Sequence, residues 1–376
     1  MSTQALDPRS WQPSQLKNLH YGSSSVNTHL PSSLPTPSSK AFIITTKSLA
    51  EKTPLVVQVE SLLTSKHHAG TYSTISQHAP VAQLDEATTA VAKDTKIDTI
   101  ISLGGGSPID SAKAISYRLH KKTGSYLHHI SIPTTLSAAE CTHGAGYTSS
   151  SGQKIGVAAP DLAPHVILYD SAFALHTPPR LFASTGIRAL DHAIEILYHP
   201  TATEVPAKAL ALSAIEALFA YLPLYHANTR DEDIITHLQL AAFASLYAIG
   251  SSLKQGLGLS HKIGYALGSP YGIPHGVTSC VSLPGVVRFK ARDQRCAGQL
   301  ARAVPAVGGK RTGDDRADAI MVGDRVEELV GVLGLRTNLG EYGVGSEQVG
   351  VIARTATGEE DGEAFEGVKG IIEEKL

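Results

Sequence analysis

From Lys40 onward, short β-branched runs alternate with segments of helical periodicity. Ala41–Thr45 and Ile97–Leu103 are short runs rich in β-branched residues and read as buried strands. Between them Val81, Leu84, Thr88, Val91 and Thr95 recur at the spacing of one helical face. Further strands are predicted at His128–Ile132, stopped by Pro133, and at Val166–Tyr169, while Gly144–Thr148 and Lys154–Ala158 flank the turn Ser149–Gly152 as a hairpin. This β-α-β rhythm predicts a parallel sheet. After about His176 the pattern changes. Pro178-Pro179 leads into Ala/Leu-rich helices, with Ala211, Ile215, Leu218 and Leu222 on one face and Leu238–Ile249 helical throughout, and no strand pattern competes. The chain therefore reads as an irregular segment 1–39 rich in Ser, Pro, Thr and His, with a candidate short strand near Leu19–Tyr21, then an α/β domain 40–175 and a helical domain 176–376. Loops are expected at Ala306–Arg316 and Glu359–Gly362.

Composition supports that division. The 376 residues suit two domains. A hydrophobic share of 42%, with Lys+Arg 32 nearly balancing Asp+Glu 34, argues against disorder and against a nucleic-acid partner. The most apolar runs fall short of the roughly 20 residues that cross a bilayer, and Met1–Leu16 has no apolar signal region, so no membrane association and a cytoplasmic location are expected. Cys141, Cys280 and Cys296 lack CxxC spacing and suggest neither a disulfide framework nor a cysteine zinc site. His, by contrast, numbers 17, a rich supply of groups that titrate near neutrality or bind metals.

Candidate chemistry begins where the Ile97–Leu103 strand runs into Gly104-Gly105-Gly106-Ser107-Pro108-Ile109-Asp110 and then into good helix formers. Ser107 suits an N-cap, Pro108 the first helical position and Asp110 the third, where a carboxylate returns a bond to the cap. The glycines admit close approach, and the exposed N–H groups of the helix start suit a pyrophosphate. The same sequence also suits a tight strand-to-helix turn with no ligand. It is not a GxGxxG fingerprint. Pro133-Thr134-Thr135 adds hydroxyls at the same sheet edge. Arg188 and His192 share a helical face, as do His261 and Tyr265, and His275 follows one loop later. Three histidines on three segments suit a zinc or iron site if they converge, although each alone also reads as a hydrogen-bonded core or surface histidine.

These residues together resemble the iron-containing alcohol dehydrogenase superfamily, and within it the maleylacetate reductases. The matching segments are Gly104–Ser107 with Asp110 and Lys113, Ile132–Thr135 with Ser137 and Glu140, Thr185-Gly186 through His192–Glu195, and Gly258 through His261-Lys262, Leu267-Gly268 and Pro274–Gly276. The resemblance implies an α/β N-terminal dinucleotide-binding domain plus an all-α C-terminal domain, the iron-containing alcohol dehydrogenase or dehydroquinate synthase-like fold, with nicotinamide and substrate in the cleft between them. It also implies homodimers.

Three departures stand out. Metal-dependent members carry an aspartate where this chain has Arg188, whereas His192, His261 and His275 match their histidine ligands. A cation facing those histidines should repel a divalent ion, and Asp191 is expected on a different helical face; no metal is therefore expected, and zinc or iron on the three histidines is the less favoured case. A family histidine is Tyr265 here, a poorer acid unless Arg188 or Lys262 lowers its pKa. Another is replaced in Leu283-Pro284-Gly285.

The resemblance thus implies a metal-independent reductase, using NADPH or NADH, of a carbonyl or enol-ketone substrate that bears a carboxylate. Gly104, Gly105, Gly106, Ser107 and Asp110 would hold the pyrophosphate, and Thr134, Thr135 and Ser137 the nicotinamide end. Lys154 and Asp170 would line the cofactor cleft. Arg188 and Lys262 would bind the substrate anion, with His192, His275, His261 and Tyr265 stabilising and protonating the product. Lys47, in a strand end without a carboxylate, favours NADPH. The alternative is a repurposed pocket catalysing a non-redox elimination, cyclisation or isomerisation, and a catalytically silent scaffold is the third reading.

Overall fold

The computed structural model describes residues 9–150, 154–250 and 256–376. Its strands are β1 (Asn18–Tyr21), β2 (Lys40–Ile44), β3 (His68–Tyr72), β4 (Ile97–Gly104), β5 (His128–Pro133), β6 (Gly144–Thr148), β7 (Lys154–Ala158) and β8 (Val166–Tyr169). Six of them form one parallel sheet in the order β1-β8-β5-β4-β2-β3, and β6 and β7 form a separate antiparallel hairpin, whose expected turn lies partly outside the described residues. The apolar runs became central strands because both faces of the sheet are covered. Ile43, Leu103, Ile130 and Leu168 pack on one side with Val59 and Leu63, and Phe42, Ile44 and Ile100 on the other with Leu84 and Ile115.

Where the pattern was weak the prediction missed. β3 is half-buried along its length at the sheet edge and shows no apolar run. β1, the short strand expected near Leu19–Tyr21, is the opposite edge, paired with β8 from Asn18↔Val166 to Tyr21↔Tyr169; the helix Ser25–His29 that follows it was not expected, so the segment before residue 39 is less irregular than its composition suggests. Thr95 lies beyond the end of its helix, Val81–Ala92.

The topology places a crevice. From β2 the chain moves outward to β3, and from β4 it moves the other way to β5, so the connections diverge at the carboxyl ends of β2 and β4. There Thr45 Oγ1 donates to the Leu103 carbonyl at 2.9 Å.

The helical half surrounds the helix Pro179–Tyr198, which is buried from Phe182 to Leu197. The run Glu204–Ala227 is long and apolar enough to cross a membrane, a length the sequence reading did not credit. Its Ala211, Ala214, Ile215, Leu218, Leu222 and Tyr225 instead pack into the same core as Leu190, Ile194 and Leu238. Hydrogen bonds that join the halves include Leu136 N–H donating to Thr185 Oγ1 at 3.0 Å, Thr177 Oγ1 donating to the Thr134 carbonyl at 2.7 Å, and Ser171 Oγ donating to Glu232 Oε2 at 3.2 Å.

Several histidines of the sheet are held neutral. Burial lowers His129 well below its ordinary pKa, and burial with the neighbouring His128 ring, 4.4 Å away, lowers His165 to about 4. A depressed folded-state pKa leaves stability intact above the unfolded value of about 6.5 and removes it as pH falls below that value towards 4, by at most about 1.4 kcal/mol per pH unit per group. The urea midpoint is therefore expected to drop steeply between pH 6.5 and 4.5; a flat profile there would contradict it.

Candidate functional site

The glycine turn sits at the crevice. Gly104 has φ +134°, a conformation only glycine holds without strain, and its carbonyl accepts from Thr134 N–H at 3.0 Å. A Cβ on Gly105 would lie 3.1 Å from Thr135 Cγ2, and one on Gly106 would lie 3.4 Å from Ser137 Oγ. Thr134, Thr135 and Ser137 are thus brought to the turn, as expected. The helix Gly106–Thr123 starts earlier than expected: Gly105 is its N-cap, without a side-chain cap, so Ser107 and Pro108 lie inside the first turn. Two residues without Cβ let the backbone tighten there.

Asp110 does not return to the cap. Its carboxylate accepts from Gly146 N–H at 3.1 Å. Lys113, fully buried, donates to the carbonyls of Ala139 (2.6 Å) and Gly144 (2.9 Å) and to Thr142 Oγ1 (3.1 Å), and burial lowers its pKa. Next to it Glu140, its pKa raised by burial, accepts from Tyr169 OH at 2.5 Å. These bonds fix the Ala139–Gly146 segment against the turn.

Asp170 belongs elsewhere. Its carboxylate takes the N–H groups of Ser24 (3.2 Å), Val26 (2.9 Å) and Ala172 (3.1 Å), so it caps backbone rather than presenting itself to a ligand. Lys154 pairs with Thr148 in the hairpin, and its side chain lies outside the described residues.

The second constellation lies where the helices Pro179–Tyr198, Leu259–Tyr271 and His275–Lys290 meet. Asp191 is not turned away from Arg188, as the one-residue offset from His192 suggested. Positions i+3 and i+4 flank the same ridge, and Arg188 Nη1 lies 3.6 Å from Asp191 Oδ2. Arg188 also donates to Ser279 Oγ at 3.1 Å. Asp191 Oδ2 accepts from Ser279 Oγ at 2.6 Å and Ser260 Oγ at 2.8 Å. Glu195, one turn on, accepts from Ser260 N–H (2.7 Å), Tyr198 OH (3.0 Å) and His261 Nδ1 (2.7 Å). Small residues make this approach possible: a Cβ on Gly258 would lie 2.6 Å from Glu195 Oε1, and one on Gly264 would lie 2.9 Å from Thr278 Oγ1 and 3.4 Å from Arg188 Nη1.

The charges set the titration. Burial and Arg188 oppose protonation of His261, but Asp191 and Glu195 outweigh them and raise its pKa. Burial would raise Asp191, yet His261, Arg188 and Ser279 hold it below the usual carboxylate value. His192, stacked at an angle on His261 with ring centroids 4.9 Å apart, is driven well below its ordinary pKa by burial, then by His261 and Arg188. Tyr265 is the poorer acid its phenol suggested: burial raises its pKa, and Arg188, which pulls it down, does not prevail. Lys262 is exposed, three residues before Tyr265 on the same helical side.

His275 is turned to different company. Its ring meets Tyr265 edge-on at 6.4 Å and His78 edge-on at 4.8 Å. The three histidines therefore do not converge as one ligand set. Among the described residues, the donor atoms that lie within 4.8 Å of one another are those of Asp191, Glu195 and His261. They do not suit a resident divalent ion either. Both carboxylates already accept neutral donors, His261 Nδ1 is engaged by Glu195, and the Arg188 guanidinium supplies the positive charge an ion would bring. For a dinucleotide the fit is better. The turn offers an 18-residue helix start, close approach at three glycines, and the buried Ser137 Oγ, which has no hydrogen-bond partner among the described residues.

Asp191, Glu195, Ser260 and Ser279 were not among the predicted site residues. The positions 188, 191 and 195 follow i, i+3, i+7, a legible stripe that carries charge through an otherwise apolar helix.

Known proteins are similar to this chain over both of its halves. Residues 17–171 match the family model described as iron-containing alcohol dehydrogenase, and residues 182–368 the model of the Fe-containing alcohol dehydrogenase family, C-terminal. A dehydrogenase of Alternaria alternata is 29% identical over 365 residues, covering 84% of this chain and 92% of that protein. A maleylacetate reductase of Rhizobium sp. (strain MTP-10005) is 29% identical over 290 residues, covering 77% and 75%. The crystal structure of maleylacetate reductase from the same Rhizobium strain superposes with a TM-score of 0.81 at 24% identity, over 99% of each chain.

Proposed function

Because this chain belongs to the iron-containing alcohol dehydrogenase family, whose enzymes are NAD(P)-linked oxidoreductases, we propose that it is a metal-independent NAD(P)H-dependent reductase of a carbonyl or enol-ketone that bears a carboxylate, as maleylacetate does. The observation that carries the reading is the buried Arg188, fixed by Asp191 and Ser279 beside His261 and His192.

Gly104–Ser107 bind the pyrophosphate, and Thr134, Thr135 and Ser137 orient the nicotinamide end. A nicotinamide cofactor held there would supply a hydride for the carbonyl carbon. As negative charge grows on the carbonyl oxygen, Arg188 stabilises it with donors already oriented before the reaction begins. His261, held through Nδ1 by Glu195, gives the proton from Nε2, a buried atom with no hydrogen-bond partner among the described residues. Tyr265, with its raised pKa, is the weaker acid.

Fluorescence titration with NADPH and NADH, first in EDTA and then with zinc or ferrous iron, tests this reading together with NADPH consumption on maleylacetate. Binding that ignores metal is expected. Gly105→Ala, which forces Thr135 aside by a few tenths of an ångström, should weaken it by about tenfold, or about 1.4 kcal/mol. Absence of binding by either nucleotide would sink the reductase reading in favour of non-redox chemistry at the same histidines.

A further inference from the structure

Residues 11–16 hold no helix or strand, yet they tie the two halves of the molecule together. The match to the family model begins at residue 17, so this stretch lies outside the matched domain. At one end Gln15 Nε2 donates to the carbonyls of Asp161 (2.9 Å) and Ala163, and Lys17 N–H donates to the His165 carbonyl at 2.8 Å. These bonds fix the stretch to the amino end of β8. At the other end the half-buried Trp11 donates from Nε1 to the Ala248 carbonyl at 2.7 Å and borders one small cleft with Ala202, Ala207 and Ile249. All four belong to the helical half, and Ala202 lies just past the helix Pro179–Tyr198 that carries Arg188, Asp191 and Glu195. The backbone lies close on this corner: a Cβ on Gly250 would come within 2.2 Å of the Gln12 carbonyl oxygen, so no larger residue fits beneath it.

The two ties sit at opposite ends of one strand. The chain passes from the α/β half into the helical half through residues 170–179, at the carboxyl end of β8. Gln15 holds the amino end of the same strand, and its 4 residues, at about 3.3 Å each, set the ties roughly 13 Å apart. Rotation of the halves about residues 170–179 therefore pulls on residues 11–16. The corner they hold also reaches the glycine turn. His143, from the α/β half, hydrogen-bonds the Gly250 backbone. Its neighbours Thr142 and Gly144 accept from Lys113 on the helix Gly106–Thr123. Trp11, residues 248–250 and the helix that begins at the turn are thus joined by contacts in series.

We propose that residues 11–16 are an inter-domain strap, latched by Trp11, that holds the two halves together and so slows the release of nucleotide from the cleft. Its effect on nucleotide rests on the reductase reading, and its hold on the two halves does not. Hydrogen exchange and stopped-flow displacement of NADPH by excess NADP+, both on the full chain, test it. Leu136 N–H, bonded to Thr185 Oγ1 across the halves, reports their separation, and Ile130, inside the sheet, reports unfolding of the α/β half. Trp11→Ala is expected to speed both Leu136 exchange and NADPH dissociation at least about tenfold, with Ile130 exchange and melting temperature little changed, since parts of a fold open independently of the whole. Gln15→Ala loosens the other end and should move both rates in the same direction. The double variant should match Trp11→Ala alone, because a strap released at one end carries no load, whereas independent sites would add. Unchanged Leu136 exchange in Trp11→Ala would overturn the proposal, as would equal acceleration at Ile130, additive effects in the double variant, or unchanged dissociation of bound NADPH. Failure of the reductase reading shows separately, as no NADPH binding by the unaltered protein, and leaves Leu136 exchange to score the strap.

Discussion

Arg188→Ala is expected to lower kcat/KM for maleylacetate by about 10³ while NADPH binding stays within twofold. Burial sets the size of the effect. Asp191 and Glu195 are fully buried, and with Arg188 and a protonated His261 the four groups sum to no net charge. Removing the guanidinium leaves one uncompensated carboxylate in a dry helical interface. Breaking such a pair from one side costs about 3–5 kcal/mol, and the part felt in the transition state appears in the rate. The same substitution should lower the urea midpoint, so both quantities are measured on one preparation. Arg188→Lys restores the charge without the planar fork and should recover only part of either loss. Turnover of Arg188→Ala within twofold of the unaltered protein would remove Arg188 from its assigned role. Retained turnover with a large stability loss would make it a structural counter-ion and nothing more.

The parts of this site differ in how far local pattern exposes them. The glycine turn was legible because every determinant is contiguous: an apolar strand, three glycines and a helix start within about fifteen residues. The following strand with Pro133-Thr134-Thr135 was legible for the same reason. The charge network was half-legible. Arg188, His192 and His261 carry visible chemistry, but whether Asp191 faces Arg188 depends on which ridge of the helix meets Ser260 and Ser279, residues 69 and 88 positions away. A one-residue offset on a helix reads as a change of face only when a single neighbour is considered. Asp170 erred in the other direction. An aspartate at a strand end resembles a ligand-binding carboxylate, yet the chain returning through Ser24 and Val26 uses it to satisfy backbone donors. β3 was obscured because an edge strand buries too little to show a period, whereas β1, the other edge, was legible as the short candidate near Leu19–Tyr21.

Glu195→Gln is expected to reduce kcat by about 100-fold with little change in KM for maleylacetate, the scale at which a positioned proton donor contributes. Glu195 holds three donors, and the one at stake is His261 Nδ1 at 2.7 Å. That bond does two things: it aims Nε2 at the pocket, and its charge helps keep His261 protonated against burial and the repulsion of Arg188. An amide preserves the shape and can still accept from His261, but it removes the charge. The sign follows from linkage. His261 works as an acid while protonated, so carbonyl reduction holds at low pH and is lost as pH rises through a pKa that lies above the ordinary imidazole value. Taking away one of the two carboxylates lowers that pKa, and the alkaline limb of the kcat profile therefore moves to lower pH in Glu195→Gln. Measurement of kcat from pH 5 to 9 in both proteins decides it. A fall in rate with the limb unmoved would mean that Glu195 acts only through packing with Ser260 and Tyr198, and that the proton comes from elsewhere. Tyr265→Phe, assayed alongside, identifies that source if its rate collapses while the Glu195→Gln profile keeps its shape.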